Sequence, residues 1–213
     1  MTSDQTVKLH LGAFHRGIPG WINTDITPHI WITRVPFAVA LLKYFGKISE
    51  ERWQQHRNGC FNNLKYMDLA RPLPFPDGSV SAVFSSHVLE HLFSDQIERL
   101  VPEIYRVLVP GGVCRVVVPD LEQIVRLYDP ENPRPFLEAM YEIGNRSDEK
   151  NAHHWGFSRS SLITLFRTAG FRKRMLLNSK RGVVRTLKSS TIVPIRSSSK
   201  RSSKSHAQVC RQG

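Results

Sequence analysis

Between residues 7 and 171, short β-forming runs alternate with helical stretches, and this alternation limits the chain to a sheet covered by helices. Val7-Lys8-Leu9-His10-Leu11-Gly12 alternates apolar and polar residues and stops at a glycine. Trp21–Ile26 reads as a second strand, set off by Pro19-Gly20. Only about eight residues join the two, too few for a crossover helix of ten or more. Leu64–Asp68 is a third strand. A rigid loop with Pro72, Pro74, Pro76 and Asp77-Gly78 leads into a fourth, Val80–Phe84. Pro110-Gly111-Gly112 reads as a turn before Val113–Val118, an apolar run suited to a strand covered on both faces. The expected fold class is α/β, doubly wound and mainly parallel.

The helical segments are marked by their ends. Pro36–Phe45 opens on proline, runs apolar nearly all round and stops at Gly46, so burial in the core is its expected fate. A lid over a lipid-like substrate, or a foot on a membrane surface, is the competing reading. Ser49 can cap a polar helix that follows. Ile97, Leu100, Val101, Ile104, Tyr105 and Leu108 have helical spacing, with Pro102 expected to break the helix into two pieces. Ser158 can cap a helix carrying Leu162, Leu165, Phe166 and Ala169, ended by Gly170.

The net charge of +12 suggests nucleic acid until its position is considered. Residues 1–171 hold 18 basic and 18 acidic residues, whereas 172–213 hold 12 basic residues and no acid. The excess belongs to a serine-rich tail. Residues 1–182 are therefore expected to form one domain, with a helical insertion at 27–60, and 183–213 a disordered basic tail. A nucleic-acid binder working through that tail is an alternative, but no aromatic RNA-binding motif accompanies it. The first residues lack a basic stretch followed by an apolar one, so no secretory signal is expected. Cys60, Cys114 and Cys210 lack the paired spacing of a disulfide framework or zinc site, which fits a cytoplasmic location.

Ligands of parallel sheets bind at the carboxyl ends of the strands. Gly12 ends the first strand, where a side chain would block close approach to the backbone. Asp25, near the end of the second, can accept both hydroxyls of a ribose. Asp68, at the end of the third, can accept from an exocyclic amine, and Ser85-Ser86-His87 ends the fourth. No phosphate-cradling loop with Lys and Ser/Thr is present, and the full glycine fingerprint of a dinucleotide site is missing. His87, Glu90 and His91 could form an acid/base cluster, or the last two could cap and orient a helix. Asp120 follows the fifth strand and can cap a helix. His153 and His154 are adjacent, with no third ligand spaced for a metal, so no metal is expected.

The series LHLG…PGWINTDI, YMDLARPLPFPDGSVSAVFSSHVLEHL and VPEIYRVLVPGGVCRVVVPDL resembles the class I S-adenosylmethionine-dependent methyltransferases, in particular the group called methyltransferase type 11. The likeness covers roughly residues 7–175. It implies a Rossmann-like, mainly parallel seven-stranded sheet with the seventh strand inserted antiparallel. After Phe171, where that strand would follow, the sequence offers only serine-rich basic residues. The resemblance assigns S-adenosylmethionine as cofactor. Gly12 and Ala13 match the turn facing its methionine part, Asp25 the ribose acid, and Asp68 with the Leu69 backbone the adenine contact. Ser85, Ser86 and His87 match the segment near the transferable methyl. Phe14 stands where the family usually has a second glycine. His87 and His153 are the candidate catalytic bases. The implied acceptor offers an O, N or C nucleophile on a small molecule or a glycan- or lipid-linked group, with peripheral membrane contact through 36–45. A non-catalytic interaction module on the same fold is the remaining alternative, and Phe14 is its motive.

Overall fold

The computed structural model describes residues 7–142 and 152–171, and the backbone of 182–187. Two compact units divide the chain between Asp68 and Leu69. The first, from Lys8, contains β1 (Val7–Leu11, of which Val7 belongs to the second unit), β2 (Ile22–Asp25) and β3 (Leu64–Tyr66). They are parallel in the order β3-β2-β1, with Leu9 beside Ile22 and Asp25 beside Tyr66. Three helices lie between β2 and β3: α1 (His29–Ile32), α2 (Ala38–Tyr44) and α3 (Glu50–Arg57). Ser49 caps α3, its hydroxyl accepting from the Arg52 N–H at 3.2 Å.

No helix lies between β1 and β2, although parallel neighbours ordinarily need a crossover of a dozen or more residues. The buried Asn23 side chain organises this connection. Its Oδ1 accepts from the Ile18 N–H (2.8 Å), and its Nδ2 donates to the carbonyls of Ile18 (3.0 Å) and Trp21 (3.2 Å). His10 Nδ1 lies 3.2 Å from the same Oδ1 and donates to it. A β-carbon on Gly17 would stand 3.3 Å from Asn23 Nδ2, so the loop lies tight against the amide.

The second unit has β4 (Val80–Ser86) parallel to β5 (Leu108–Val118), with β6 (Gly182–Leu187) antiparallel to β5. Its helices are α4 (Ser94–Val107), α5 (Leu121–Val125), α6 (Arg134–Tyr141) and α7 (Arg159–Thr168). Ile97, Leu100, Val101, Ile104 and Val107 form the buried face of α4. Pro102 lies on the opposite, exposed side, where the carbonyl it leaves unbonded can meet water; α4 therefore runs unbroken, against expectation. Arg106 ties the proline-rich loop to α4 by donating to the carbonyls of Leu73 and Phe75 and to Asp77 and Glu103. Pro110-Gly111-Gly112 makes the expected turn, with Gly111 at φ 80°, but inside the span of β5, where the pairing with β4 shifts register. A β-carbon at Gly112 would come within 2.9 Å of the Val109 carbonyl, so no larger residue fits there.

The architecture is mixed α/β, with five parallel strands and one antiparallel strand among the described residues. The antiparallel neighbour of β5 is the kind of strand the resemblance implied, but it begins at Gly182. The sheet thus continues across the boundary expected at 182/183, since Val183, Val184 and Thr186 favour a strand despite Arg185 among them. Residues 188–213 of the expected tail lie outside the described residues. No helix among the described residues is long and apolar enough to cross a membrane.

Replacing Asn23 by alanine leaves the half-buried Ile18 N–H without its acceptor and removes the amide's two donor contacts to the loop. A loss of about 2–4 kcal/mol is expected, read as a lower urea midpoint.

Candidate functional site

In the first unit, three sequence-predicted residues gather at the ends of β1 and β2. Gly12 leaves β1 in a left-handed conformation, φ 63°, and Ala13 continues the ladder by donating its N–H to the Thr24 carbonyl at 2.8 Å. Asp25 ends β2. Its Oδ2 accepts from the Phe14 N–H at 2.9 Å and its Oδ1 from the Thr27 N–H at 2.8 Å. Two backbone donors thus hold the half-buried carboxylate in place, and each oxygen retains a further acceptor site. Met67 N donates to the Asp25 carbonyl at 3.0 Å, which carries the β2–β3 pairing to the residue just before Asp68. Asp68 itself is half-buried beyond the end of β3.

Phe14 adopts φ 44°, the left-handed backbone that glycine takes without strain. The cost for a side-chain residue is roughly 1–2 kcal/mol. Its ring offsets this by packing against the buried cluster of Ala13, Ile30, Phe61 and Leu64. Phe61 meets it edge-on at 5.9 Å, and the Arg52 guanidinium lies over it at 4.3 Å from the ring centre. Phe14 therefore keeps the turn a glycine would make and sends its ring into this unit's own core. Beside it, His29 stacks on Phe61 (5.0 Å, 27°), with His29 Nδ1 2.9 Å from His56 Nε2. Burial, with Arg52 and His56 nearby, pushes the His29 imidazole down to about 4. Burial and Arg52 lower His56 as well.

In the second unit, β4 alternates faces as a strand must, and the residues of its C-terminal end are separated by that alternation. Ser85 is 0 % exposed, and its buried hydroxyl has no hydrogen-bond partner among the described residues. Leu69 is buried too, consistent with a contact through its backbone alone. Ser86 is half-buried, and His87 is exposed with φ 55°, its N–H donating to the Val117 carbonyl at 2.9 Å. A non-glycine residue in this conformation carries strain of the kind found at functional sites. His87 Nδ1 stands 3.1 Å from Oε1 of Glu90, which is 1 % exposed.

Glu90 begins no helix cap. It belongs to a single helical turn, Leu89–His91, and its carbonyl accepts from the N–H groups of His154 (2.7 Å) and Trp155 (3.0 Å). These bonds bring the loop at 152–155 onto the turn. Ligand atoms of Glu90, His91 and His153 lie within 4.8 Å of one another. His154 faces elsewhere, stacked on Phe93 at 4.3 Å. The adjacent histidines do diverge, as expected, but two further groups reach His153 from some sixty residues upstream. Asp120 caps α5, its Oδ1 accepting from the Glu122 N–H at 3.0 Å.

Residues 41–116 match the family model of a methyltransferase domain. Among solved structures, a "possible exported protein" from Bordetella parapertussis superposes at TM-score 0.50 with 11 % identity, over 87 % of this chain and 63 % of that one. A SAM-dependent methyltransferase from Thermotoga maritima is 21 % identical over 86 % of this chain and 82 % of its own, at TM-score 0.47. PigF, solved with S-adenosylhomocysteine, is 16 % identical over 88 % and 52 %, at TM-score 0.46. Over about a third of its length the chain is thus similar to a methyltransferase domain, and the solved structures share its fold. The chemistry of the first unit is compatible with S-adenosylmethionine: Gly12 offers backbone without a side chain, and Asp25 a carboxylate oriented by two N–H groups, with acceptor sites left that could take hydroxyls.

What the sequence reading missed is the cage around Phe14 and the triad at Glu90. The proline, apolar and charged residues at 27–60 give no sign that His29, His56 and Arg52 converge on one ring.

The His29 shift makes stability pH-dependent. Between pH 6.5 and about 4 the unfolded chain binds a proton that the folded chain refuses, so stability is complete above 6.5 and falls as the pH drops toward 4. His29→Phe is expected to flatten that part of the profile, measured as urea midpoints at about pH 7 and about pH 5.

Proposed function

We propose that this domain transfers a methyl group to an O, N or C nucleophile of an acceptor, with the Asp25 carboxylate holding the ribose of the cofactor. The geometry of Asp25 carries this reading: both oxygens are fixed by backbone N–H groups, and one of those groups belongs to the turn that the family resemblance places against the cofactor. When bound, S-adenosylmethionine supplies an electrophilic methyl on a sulfonium, open to in-line displacement. Positioning is then the protein's main contribution. Asp25 would orient the sugar, and Gly12 would let the backbone approach. Asp68 and the Leu69 backbone remain the proposed adenine contacts, and Ser85, Ser86 and His87 the proposed contacts near the methyl. His87 and His153 are the proposed bases for an acceptor that must lose a proton; each already has a carboxylate at ion-pair distance, Glu90 at 3.1 Å and Glu142 at 2.7 Å. Asp25→Asn keeps the shape and removes the charge. It should weaken S-adenosylhomocysteine at least tenfold, about 1.4 kcal/mol, in calorimetric titration; unchanged affinity would remove Asp25 from the site.

The region around α2 bears on the acceptor. Contrary to expectation, α2 has no buried residue. Phe37 is 87 % and Tyr44 82 % exposed, and Trp31, Val35, Leu41 and Phe45 are exposed as well. Exposed apolar groups in such number support contact with a lipid surface or a lipid-linked acceptor. The full chain is expected to sediment with phosphatidylcholine vesicles, and Phe37→Ser with Tyr44→Ser to stay in the supernatant. Equal partitioning of the two proteins would sink this reading.

A further inference from the structure

We propose that Glu90, His91 and His153 form a binding site for a divalent first-row transition-metal ion. The site stands on the second unit alone and does not depend on the cofactor reading. Three observations carry it. The ligand atoms of one carboxylate and two imidazoles lie within 4.8 Å of one another, close enough to share one ion. Glu90 is 1 % exposed, and neither of its oxygens accepts a well-formed hydrogen bond among the described residues; His87 stands near one of them only at ion-pair distance. An ionised carboxylate so placed costs several kcal/mol unless a positive charge compensates it. Finally, His91 Nδ1 lies 3.3 Å from the Ala152 carbonyl. A proton on that nitrogen leaves Nε2 with its lone pair, the arrangement that metal-binding histidines commonly show.

The scaffold holds the three ligands without the ion. Glu90 and His91 share one helical turn, and His153 is brought to them by the bonds from His154 and Trp155 to the Glu90 carbonyl. The His153 N–H is fixed in turn by the Tyr141 carbonyl at 3.0 Å, and the His91 and His153 rings are 5.0 Å apart. A cation would compensate the buried carboxylate and take the lone pair that the Ala152 contact leaves on His91, while the Glu142 carboxylate, 2.7 Å from His153 Nε2, can orient the His153 ring as a carboxylate commonly does beside a metal-binding imidazole. Two imidazoles with one carboxylate suit zinc, manganese, iron or cobalt better than the all-oxygen preference of calcium or magnesium. Three protein ligands also leave coordination positions open to water or another oxygen donor, as catalytic metal sites do.

Zinc is the probe of choice, because it binds such donor sets more tightly than manganese or iron. Zinc chloride titrated calorimetrically into the chelator-treated full chain is expected to fill one saturable site. Glu90→Gln and His91→Asn are each expected to weaken that site at least about tenfold. His91 is half-buried, so if Glu90→Gln loses its circular dichroism spectrum, His91→Asn alone decides the matter. Absence of saturable binding, or binding undiminished in folded His91→Asn, overturns the proposal and leaves the cluster a carboxylate–imidazole hydrogen-bonding network.

Discussion

The side-chain amide of Asn23 replaces a helix. Two parallel strands joined by so short a connection have no crossover element to set their register, and the loop must be held by something else. Asn23 does this with one acceptor and two donor contacts to the loop, while His10 on the neighbouring strand shares its oxygen. The register that results places Leu11 beside Thr24, so that Gly12 and Asp25 follow at adjacent ends. The geometry at Asp25 depends on that register, because Phe14 can donate to the carboxylate only if the turn after β1 lies directly over the end of β2.

Phe14 keeps a turn that glycine usually makes. What the turn requires is a left-handed backbone that aims an N–H at Asp25, and glycine is only the cheapest way to obtain it. Here phenylalanine accepts the strain, and the ring's contacts with Phe61 and Arg52 offset a comparable amount. The same ring then becomes part of the wall against which His29 and His56 are buried. The ring is thus engaged within its own unit.

Much of the fold could be read from local signals. Alternation marked β1, Pro and Gly bounded α2, and Ser49 and Ser158 declared the helices they cap. Failures came where tertiary packing decides. Pro102 does not break α4, because the buried face of that helix supplies more than one missing hydrogen bond costs and proline faces solvent. Pro110-Gly111-Gly112 turns as its residues suggest, but β5 pairs with β4 on both sides of it, so the strand starts earlier than Val113. The apolar α2 was expected inside and lies outside, since composition records hydrophobicity and not what covers it. At the site, Gly12 and Asp25 were legible from their positions at strand ends. The Glu90 triad was not, because its third member arrives through a loop whose contacts are made by backbone groups that leave no trace in the sequence.

The central claim is that Asp25, held by the N–H groups of Phe14 and Thr27, receives the cofactor's ribose without displacing the Phe14 ring. The most direct measurement is a crystal structure of the full chain with S-adenosylhomocysteine. Both ribose hydroxyls within hydrogen-bonding distance of the Asp25 carboxylate, with Phe14 still packed on Phe61, is the predicted result. A ribose bound elsewhere, or a Phe14 ring driven out of its cluster to admit the ligand, would contradict the account.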